Sequence, residues 1–201
     1  MGMGIGIGIG VTHAQHRGVI EAQVEVLPFT LLLQHELTHL VDRNNEGAII
    51  RAISIPWLEI YYALKKDPDT IVQFSEHPER FEEFIAASYQ REGWEKVILT
   101  PRSGDGGRDV IAEKGGFGAI RILDQCKAFR RGHLVGQTDV RAMLGVLHSD
   151  ANASKAVIST SSDFAPGIAS DQSIQKFVPN RLELRNGKQL VDWLSTIEDK
   201  K

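Results

Sequence analysis

The segment Leu99–Arg131 carries the clearest structural signals of the chain; it reads LTPRSGDGGRDVIAEKGGFGAIRILDQCKAFRR. Two apolar runs flank a glycine-rich turn, and this arrangement predicts a β-hairpin. Asp109 opens the first strand. Because side chains alternate between the two faces of a strand, Gln125 and Lys127 share one face while Cys126 points the other way, into the core. We therefore expect a carboxylate, an amide and an ammonium group to converge at one edge of the sheet.

Helices and strands alternate in the rest of the main domain. Pro78 is suited to open a helix that runs to about Glu92, where Gly93 ends it. Further helices are expected at 137–148, 164–177 and 187–198. Strands are expected at about 95–100, 108–113, 119–127, 155–160 and 181–184. This order indicates an α/β protein with a mixed β-sheet flanked by helices.

The first 70 residues predict a helical module that begins with a stretch rich in Gly and Ile. Residues 11–45 are expected to be helical, because a leucine-rich run there ends at asparagine and glycine stop signals. A second helix is expected to begin at Pro56. An Asp-Pro-Asp sequence then breaks it, so residues 71–201 are expected to form the main domain.

Composition excludes several classes of protein. The chain has 201 residues, a net charge of −3 and ample aliphatic residues, which argues against disorder. Its single cysteine excludes a disulfide scaffold and indicates a reducing compartment such as the cytoplasm. No apolar run is long enough to span a membrane. A pI near 6.2 argues against a globally basic nucleic-acid binder but leaves a local basic site open.

The converging polar groups suit metal-assisted hydrolysis of a phosphodiester. Mg²⁺ prefers oxygen ligands, which Asp109, the Gln125 amide and the backbone carbonyl of Cys126 can supply. Lys127 can position a water molecule and stabilise the negative charge that grows on the phosphorus centre. The pattern is loose, however, and a polar strand face that is simply solvated stays open as an alternative.

A further acid is expected from the helix over residues 77–92. Its apolar residues recur at helical spacing and define a buried face. Glu82 falls at the edge of that face and can reach the site, whereas Glu83 lies opposite its centre and is expected to be solvated.

Local charge favours a phosphate ligand. Residues 121–141 carry five basic residues against two acidic ones, a net charge of +3 in a chain that is negative overall. Arg130 and Arg131 either contact phosphates or form a solvated basic face. Arg102 and Ser103 precede the glycine loop, and Arg108 follows it. These residues are candidates for positioning phosphates or for surface ion pairs.

Several motifs in this order resemble the Mrr-like restriction endonuclease family, within the PD-(D/E)xK nuclease superfamily. The resemblance covers roughly residues 76–194. It rests on Phe81-Glu82, Gly104-Asp105-Gly106-Gly107-Arg108-Asp109, Gln125-Cys126-Lys127, and Lys155-Ala156-Val157-Ile158-Ser159-Thr160 followed by Phe164. Glutamine at the second acidic position departs from the superfamily pattern but is typical of the Mrr branch.

The resemblance implies a restriction-endonuclease-like fold and an endonuclease that acts on double-stranded DNA in defence against foreign or modified DNA. It implies Glu82, Asp109, Gln125 and Lys127 as active-site residues and dependence on Mg²⁺, for which Mn²⁺ can substitute. Cutting both strands with one site per chain favours a homodimer. A catalytically silent DNA-binding module stays open as an alternative.

A rival motif lies in the first 70 residues, where His35-Glu36-Leu37-Thr38-His39 matches H-E-x-x-H. On a helix both histidines face one way and can bind Zn²⁺ beside a glutamate base, as in a zinc metallopeptidase. The extension with a third histidine is absent, so the third ligand would come from elsewhere in the chain. The candidates are Glu46, Glu59 and His77. Two alternatives stay open: a helix that simply carries two histidines on a partly exposed face, and a structural metal site.

Five other residues have alternative roles. The aromatic residues Trp57, Tyr61 and Tyr62 can stack on bases, but their helical spacing favours packing. Asp163 is expected to cap the following helix. Cys126 is expected to be a small core residue and not a nucleophile.

Overall fold

The computed structural model describes residues 27–101 and 106–198. Its α-helices are α1 (Phe29–Leu32), α2 (Ser54–Lys66), α3 (Pro78–Glu92), α4 (Gln137–Ser149), α5 (Gly167–Ser170), α6 (Gln172–Gln175) and α7 (Gly187–Glu198), with a 3-10 helix over Pro68–Glu76. Its strands are β1 (Thr38–Asn44), β2 (Gly47–Ala52), β3 (Lys96–Leu99), β4 (Val110–Lys114), β5 (Ile120–Lys127), β6 (Lys155–Thr160) and β7 (Leu182–Arg185). The five strands predicted between residues 95 and 184 are confirmed, as are the helices at 78–92, 137–148 and 187–198.

All seven strands form one mixed sheet in the order β1 to β7. Neighbouring strands are antiparallel from β1 to β5 and parallel from β5 to β7. Alternation along β4 sends Val110 and Ala112 into the core under α2, α3 and α7, and Ile111 into a second core under α4. The prediction of an α/β protein with a mixed sheet and flanking helices is therefore confirmed.

The prediction of a helix over residues 11–45 is wrong for most of its described part. Only four residues form α1, and β1 follows where the helix was expected. The asparagine stop signals instead build a hairpin turn, because the Asn44 side chain accepts the N–H groups of Glu46 (3.1 Å) and Gly47 (3.0 Å). A Cβ at Gly47 would overlap the Leu99 carbonyl oxygen, so β2 can approach β3 only with glycine here. The Gly/Ile-rich start lies outside the described residues.

The core continues across residue 70, where we predicted a boundary. The Trp57 indole is fully buried, stacks on Phe84 with centroids 6.0 Å apart, and donates to the Ser88 hydroxyl at 2.8 Å. Helix α2 thus packs directly on α3. It begins at Ser54, two residues before the predicted start at Pro56.

Two smaller differences lie elsewhere. The helix predicted at 164–177 is split into α5 and α6, because Asp171 adopts an extended conformation and its side chain accepts the Ser173 N–H at the start of α6. No helix among the described residues is long and apolar enough to span a membrane.

Candidate active site

Asp109 lies directly before β4, at the point where β4 meets β5. Its N–H donates to the Asp124 carbonyl at 2.9 Å, which continues the antiparallel ladder by one residue. Its Oδ2 accepts the Cys126 N–H at 2.7 Å. This bond holds the carboxylate against the strand segment that carries Gln125 and Lys127, the segment on which the sequence predicts the site.

Gln125 and Lys127 project from the face of β5 that is covered by α4. The Gln125 Oε1 atom is buried and has no hydrogen-bond partner among the described residues. The Lys127 backbone is fixed, because its carbonyl accepts the Thr160 hydroxyl at 2.8 Å and the Ser161 N–H at 3.2 Å. Its Nζ lies 3.6 Å from Oδ1 of Asp139, in the first turn of α4.

Glu82 lies on α3, which packs on the face of the sheet opposite Gln125 and Lys127. It is half-buried, and its negative charge is felt at the Cys126 thiol. Burial first, and then the charges of Asp124, Asp109 and Glu82, raise the pKa of that thiol well above its ordinary value. The Cys126 side chain is partly buried and packs against the core, in keeping with a packing role and not a nucleophile.

The prediction that Glu83 is solvated is wrong. Its side chain is 23% exposed and pairs with Arg80 one turn earlier, at 2.6 Å. The 3.6-residue period places Glu83 away from the centre of the core, but the β1–β2 hairpin closes over this end of α3. We did not predict that hairpin, because residues 11–45, which include its first strand, were interpreted as helical.

The donors at this site fit a hard divalent cation. A carboxylate and an amide oxygen are ligands that Mg²⁺ accepts, and a buried carbonyl-type oxygen without a partner is the atom that a cation would satisfy. The Cys126 N–H is already bonded to Asp109, so that residue can contribute only its carbonyl. Among the described residues, no group of three or more His, Cys, Asp or Glu is arranged to hold a metal. The carboxylate and amide oxygens here are donors of the type that hard divalent cations accept.

A buried polar network, which we did not predict from the sequence, lies beside this site. The Asp124 Oδ2 atom accepts the Tyr89 hydroxyl at 2.8 Å and the Ser159 hydroxyl at 2.9 Å. Arg185 donates to the Tyr89 oxygen at 3.2 Å. Burial raises the pKa of Asp124 to about 6, against the lowering effects of Arg185 and the two hydroxyl donors. The alternation that points Cys126 into the core also predicts a buried Asp124, and that signal was available.

The candidate DNA contacts separate into two groups. Arg130 and Arg131 are exposed on the loop after β5, and Arg131 pairs with Asp69 at 2.8 Å. Arg108 is instead half-buried and lies 3.8 Å from Glu46, as an intramolecular contact. Of the two roles open to it, the structure favours the ion pair. Arg102 and Ser103 lie outside the described residues.

The H-E-x-x-H segment is not helical, so the zinc-peptidase hypothesis is wrong. His35 lies in a bend before β1 and His39 lies within β1, opposite Arg51 of β2. Pairing with β2 replaces the one-turn spacing that brings two histidines to one metal. Among the proposed third ligands, Glu46 is already paired with Arg121. Glu59 is exposed on α2, and His77 is half-buried at the start of α3.

The remaining alternatives are resolved by burial and hydrogen bonds. Trp57 and Tyr61 are buried, so packing is confirmed for them, whereas Tyr62 is 52% exposed and donates to Glu198. Asp163 does not cap the next helix. Its carboxylate accepts the Phe164 N–H at 2.8 Å and the Asn186 amide at 3.1 Å, so it ties two loops together.

Comparison with known proteins agrees with this geometry. The family model Mrr_cat, described as restriction endonuclease, matches residues 74–194. No curated protein sequence matches the chain. The restriction endonuclease FokI is similar in structure, with a TM-score of 0.50, 11% identity, and coverage of 74% of this chain and 28% of FokI. At this identity the likeness shows the fold.

Two other restriction endonucleases are similar over a comparable share of the chain. The DNA modification-dependent enzyme AspBHI gives a TM-score of 0.46 at 17% identity, covering 69% of this chain and 41% of AspBHI. MspJI, solved in complex with a 27-mer oligonucleotide, gives 0.37 at 19% identity, covering 71% and 32%. The chain thus matches less than half the length of each of these enzymes.

Proposed function

The chain belongs to the Mrr catalytic family of restriction endonucleases, and from this premise we propose that it is a divalent-metal-dependent endonuclease that cuts double-stranded DNA. Mg²⁺ is the proposed ion, and Mn²⁺ can replace it. The proposed biological role is defence against foreign or modified DNA.

One observation carries the proposal. The 2.7 Å bond from the Cys126 N–H to Asp109 brings a carboxylate to the strand that carries Gln125 and Lys127. An acid, an unsatisfied amide oxygen and an ammonium group then lie at one edge of the sheet. These groups are what metal-assisted attack on a phosphodiester requires.

We assign the metal ligands to Asp109, the Gln125 side chain and the Cys126 carbonyl. An ion bound there would polarise the phosphate and lower the pKa of a bound water. Asp109 supplies the negative charge of the set, and its bond to the strand keeps its carboxylate oriented before the substrate arrives. Glu82, from α3, would support a bound metal ion through a water molecule.

Lys127 has the second chemical role. Its ammonium group orients the attacking water and stabilises the negative charge that develops on the phosphate oxygens. The Thr160 and Ser161 bonds to its backbone limit the movement of the stem. The Cys126 side chain packs on the opposite face of β5 from Lys127, which argues for hydrolysis by water and against a covalent thiol intermediate.

DNA binding is assigned to the basic loop after β5. Arg130 and Arg131 are exposed directly beyond Lys127, where they can contact phosphates on either side of the cut. The ion pair of Arg131 with Asp69 is exposed on both sides, 69% and 76%, so phosphate can displace it with little loss. Two chains acting as a homodimer would cut both strands.

The test is cleavage of supercoiled plasmid, methylated and unmethylated, with Mg²⁺, Mn²⁺ or EDTA. Lys127→Ala is compared with Lys188→Ala, which removes an exposed lysine of α7. We expect metal-dependent nicking or linearisation by the wild type and by Lys188→Ala, and its loss in Lys127→Ala while DNA binding is retained.

Other outcomes would contradict the proposal. A folded wild type that binds DNA but cuts neither plasmid with either metal would favour the catalytically silent module. Cleavage that persists in EDTA or in Lys127→Ala would show that the reaction uses another site.

The same assay also addresses the substrate. Preference for the methylated plasmid would identify modified DNA as the substrate.

A further inference from the structure

Asp139, in the first turn of α4, forms an ion pair with the proposed catalytic ammonium group of Lys127. We infer that Asp139 is a positioning residue for Lys127, an inference that rests on the proposed nuclease function. Its Oδ1 atom lies 3.6 Å from Lys127 Nζ. The Mrr-like motifs used in the sequence analysis do not include it.

The two carboxylate oxygens of Asp139 have separate tasks. Oδ2 accepts the Gly136 N–H at 3.1 Å, which holds the carboxylate against the first turn of α4. Oδ1 is left to face Lys127. Since one oxygen is fixed by the backbone, the other is held in place before any substrate arrives.

The start of α4 is itself anchored to the sheet. Val135 is fully buried, its N–H donates to the Asp163 carbonyl, and its carbonyl accepts the Ala165 N–H, both at 2.9 Å. These bonds tie the residues just before α4 to the segment that follows β6. Because Lys127 is bonded to Thr160 at the end of β6, both members of the ion pair are located by the same strand end.

The distance between Asp139 and Lys127 allows the carboxylate to orient the ammonium group and still leaves its N–H donors available. A charge-assisted hydrogen bond is about 2.7–2.9 Å long, so at 3.6 Å the carboxylate attracts the ammonium group without fully occupying one of its three donors. Both side chains remain partly exposed, Lys127 at 24% and Asp139 at 36%. The ammonium group therefore keeps donors for a water molecule and a phosphate oxygen.

The test uses Asp139→Asn, which keeps an oxygen for the Gly136 N–H and removes only the charge. Asp171→Asn is the matched control: Asp171 also caps a helix and pairs with Arg141 of α4, at 2.6 Å. We expect Asp139→Asn to lower the single-turnover cleavage rate about tenfold or more, since a misplacement of about 1 Å costs up to roughly 100-fold. The DNA concentration at half-saturation and the thermal midpoint should match those of Asp171→Asn.

A second readout does not depend on cleavage. The ¹³C relaxation order parameter of the Lys127 Cε atom should fall in Asp139→Asn and stay unchanged in Asp171→Asn. Full cleavage activity in Asp139→Asn, or a loss explained by weaker DNA binding or unfolding, would overturn the inference. If the wild type cuts no DNA, the proposed function fails, and an unchanged order parameter in Asp139→Asn would overturn the positioning role independently.

Discussion

Removing the Tyr89 hydroxyl tests the buried network that joins α3 to the sheet. Tyr89→Phe deletes the donor to Asp124, 2.8 Å away, and the acceptor of Arg185, 3.2 Å away, while the ring keeps its shape. Because Asp124 is fully buried, no water can replace the donor without rearrangement. Only the Ser159 hydroxyl would still donate to its Oδ2.

The size of the effect follows from these two contacts. A hydrogen bond to a charged group contributes about 1.5–3 kcal/mol. The bond from Tyr89 is lost at a buried position, so water does not replace it. We therefore expect the free energy of unfolding to fall by about 2–3 kcal/mol. For a chain of this length each kcal/mol moves the thermal midpoint by about 2–4 °C, so the midpoint should fall by roughly 4–12 °C.

The assay is equilibrium unfolding in urea at pH 7, followed by circular dichroism, with thermal melts alongside. Tyr62→Phe is the control, because it removes an exposed hydroxyl that donates to Glu198, and its unfolding curve should overlay that of the wild type. A Tyr89→Phe protein within about 0.5 kcal/mol of the wild type, the range of ordinary surface changes, would refute the account of the network.

Three further predictions concern stability and the rival motif. Because burial raises the pKa of Asp124 to about 6, the folded protein takes up this proton before the unfolded chain does, and the stability due to Asp124 rises as the pH falls. We compare the free energies of unfolding of the wild type and of Asp124→Asn by urea titration at several pH values. The wild-type value minus that of the variant should increase by about 2–3 kcal/mol from pH 7 to pH 4. A difference that does not change with pH would contradict this. Gly47→Ala should lower the thermal midpoint strongly because of the overlap with Leu99, whereas Gly145→Ala, with open space in α4, should raise the unfolding free energy by about 0.5–1 kcal/mol; equal midpoints would contradict the close approach of β2 to β3. His39→Ala should leave the zinc content measured by mass spectrometry at the background of the wild type, and stoichiometric zinc lost in this variant would revive the metallopeptidase.

The main domain could be predicted because its signals are local. The helix from Pro78 to Glu92 has a proline at its start, and Gly93 at its end adopts φ +97°. The glycine-rich turn between β4 and β5 fixes the pairing of these strands, and with it the position of Asp109 beside Cys126. Period-two alternation then assigns faces to the side chains of β5.

What the sequence could not supply were contacts between distant segments. The leucine-rich run before residue 45 satisfies a helical pattern, yet its extended form is selected by pairing with β2 and by burial of Leu37 against the core. Likewise the partner of Lys127 comes from the start of α4, and the partner of Tyr89 from β5. Such pairs depend on how the sheet and helices pack, which no local spacing encodes.

Anomalous scattering from a bound Mn²⁺ ion would locate the proposed metal site. Crystals grown at a Mn²⁺ concentration that supports cleavage would be measured at a wavelength where manganese scatters anomalously. We expect an anomalous peak about 2.0–2.3 Å from a carboxylate oxygen of Asp109 and from Gln125 Oε1. A manganese peak bound by other residues, with neither of these two as a ligand, would contradict it.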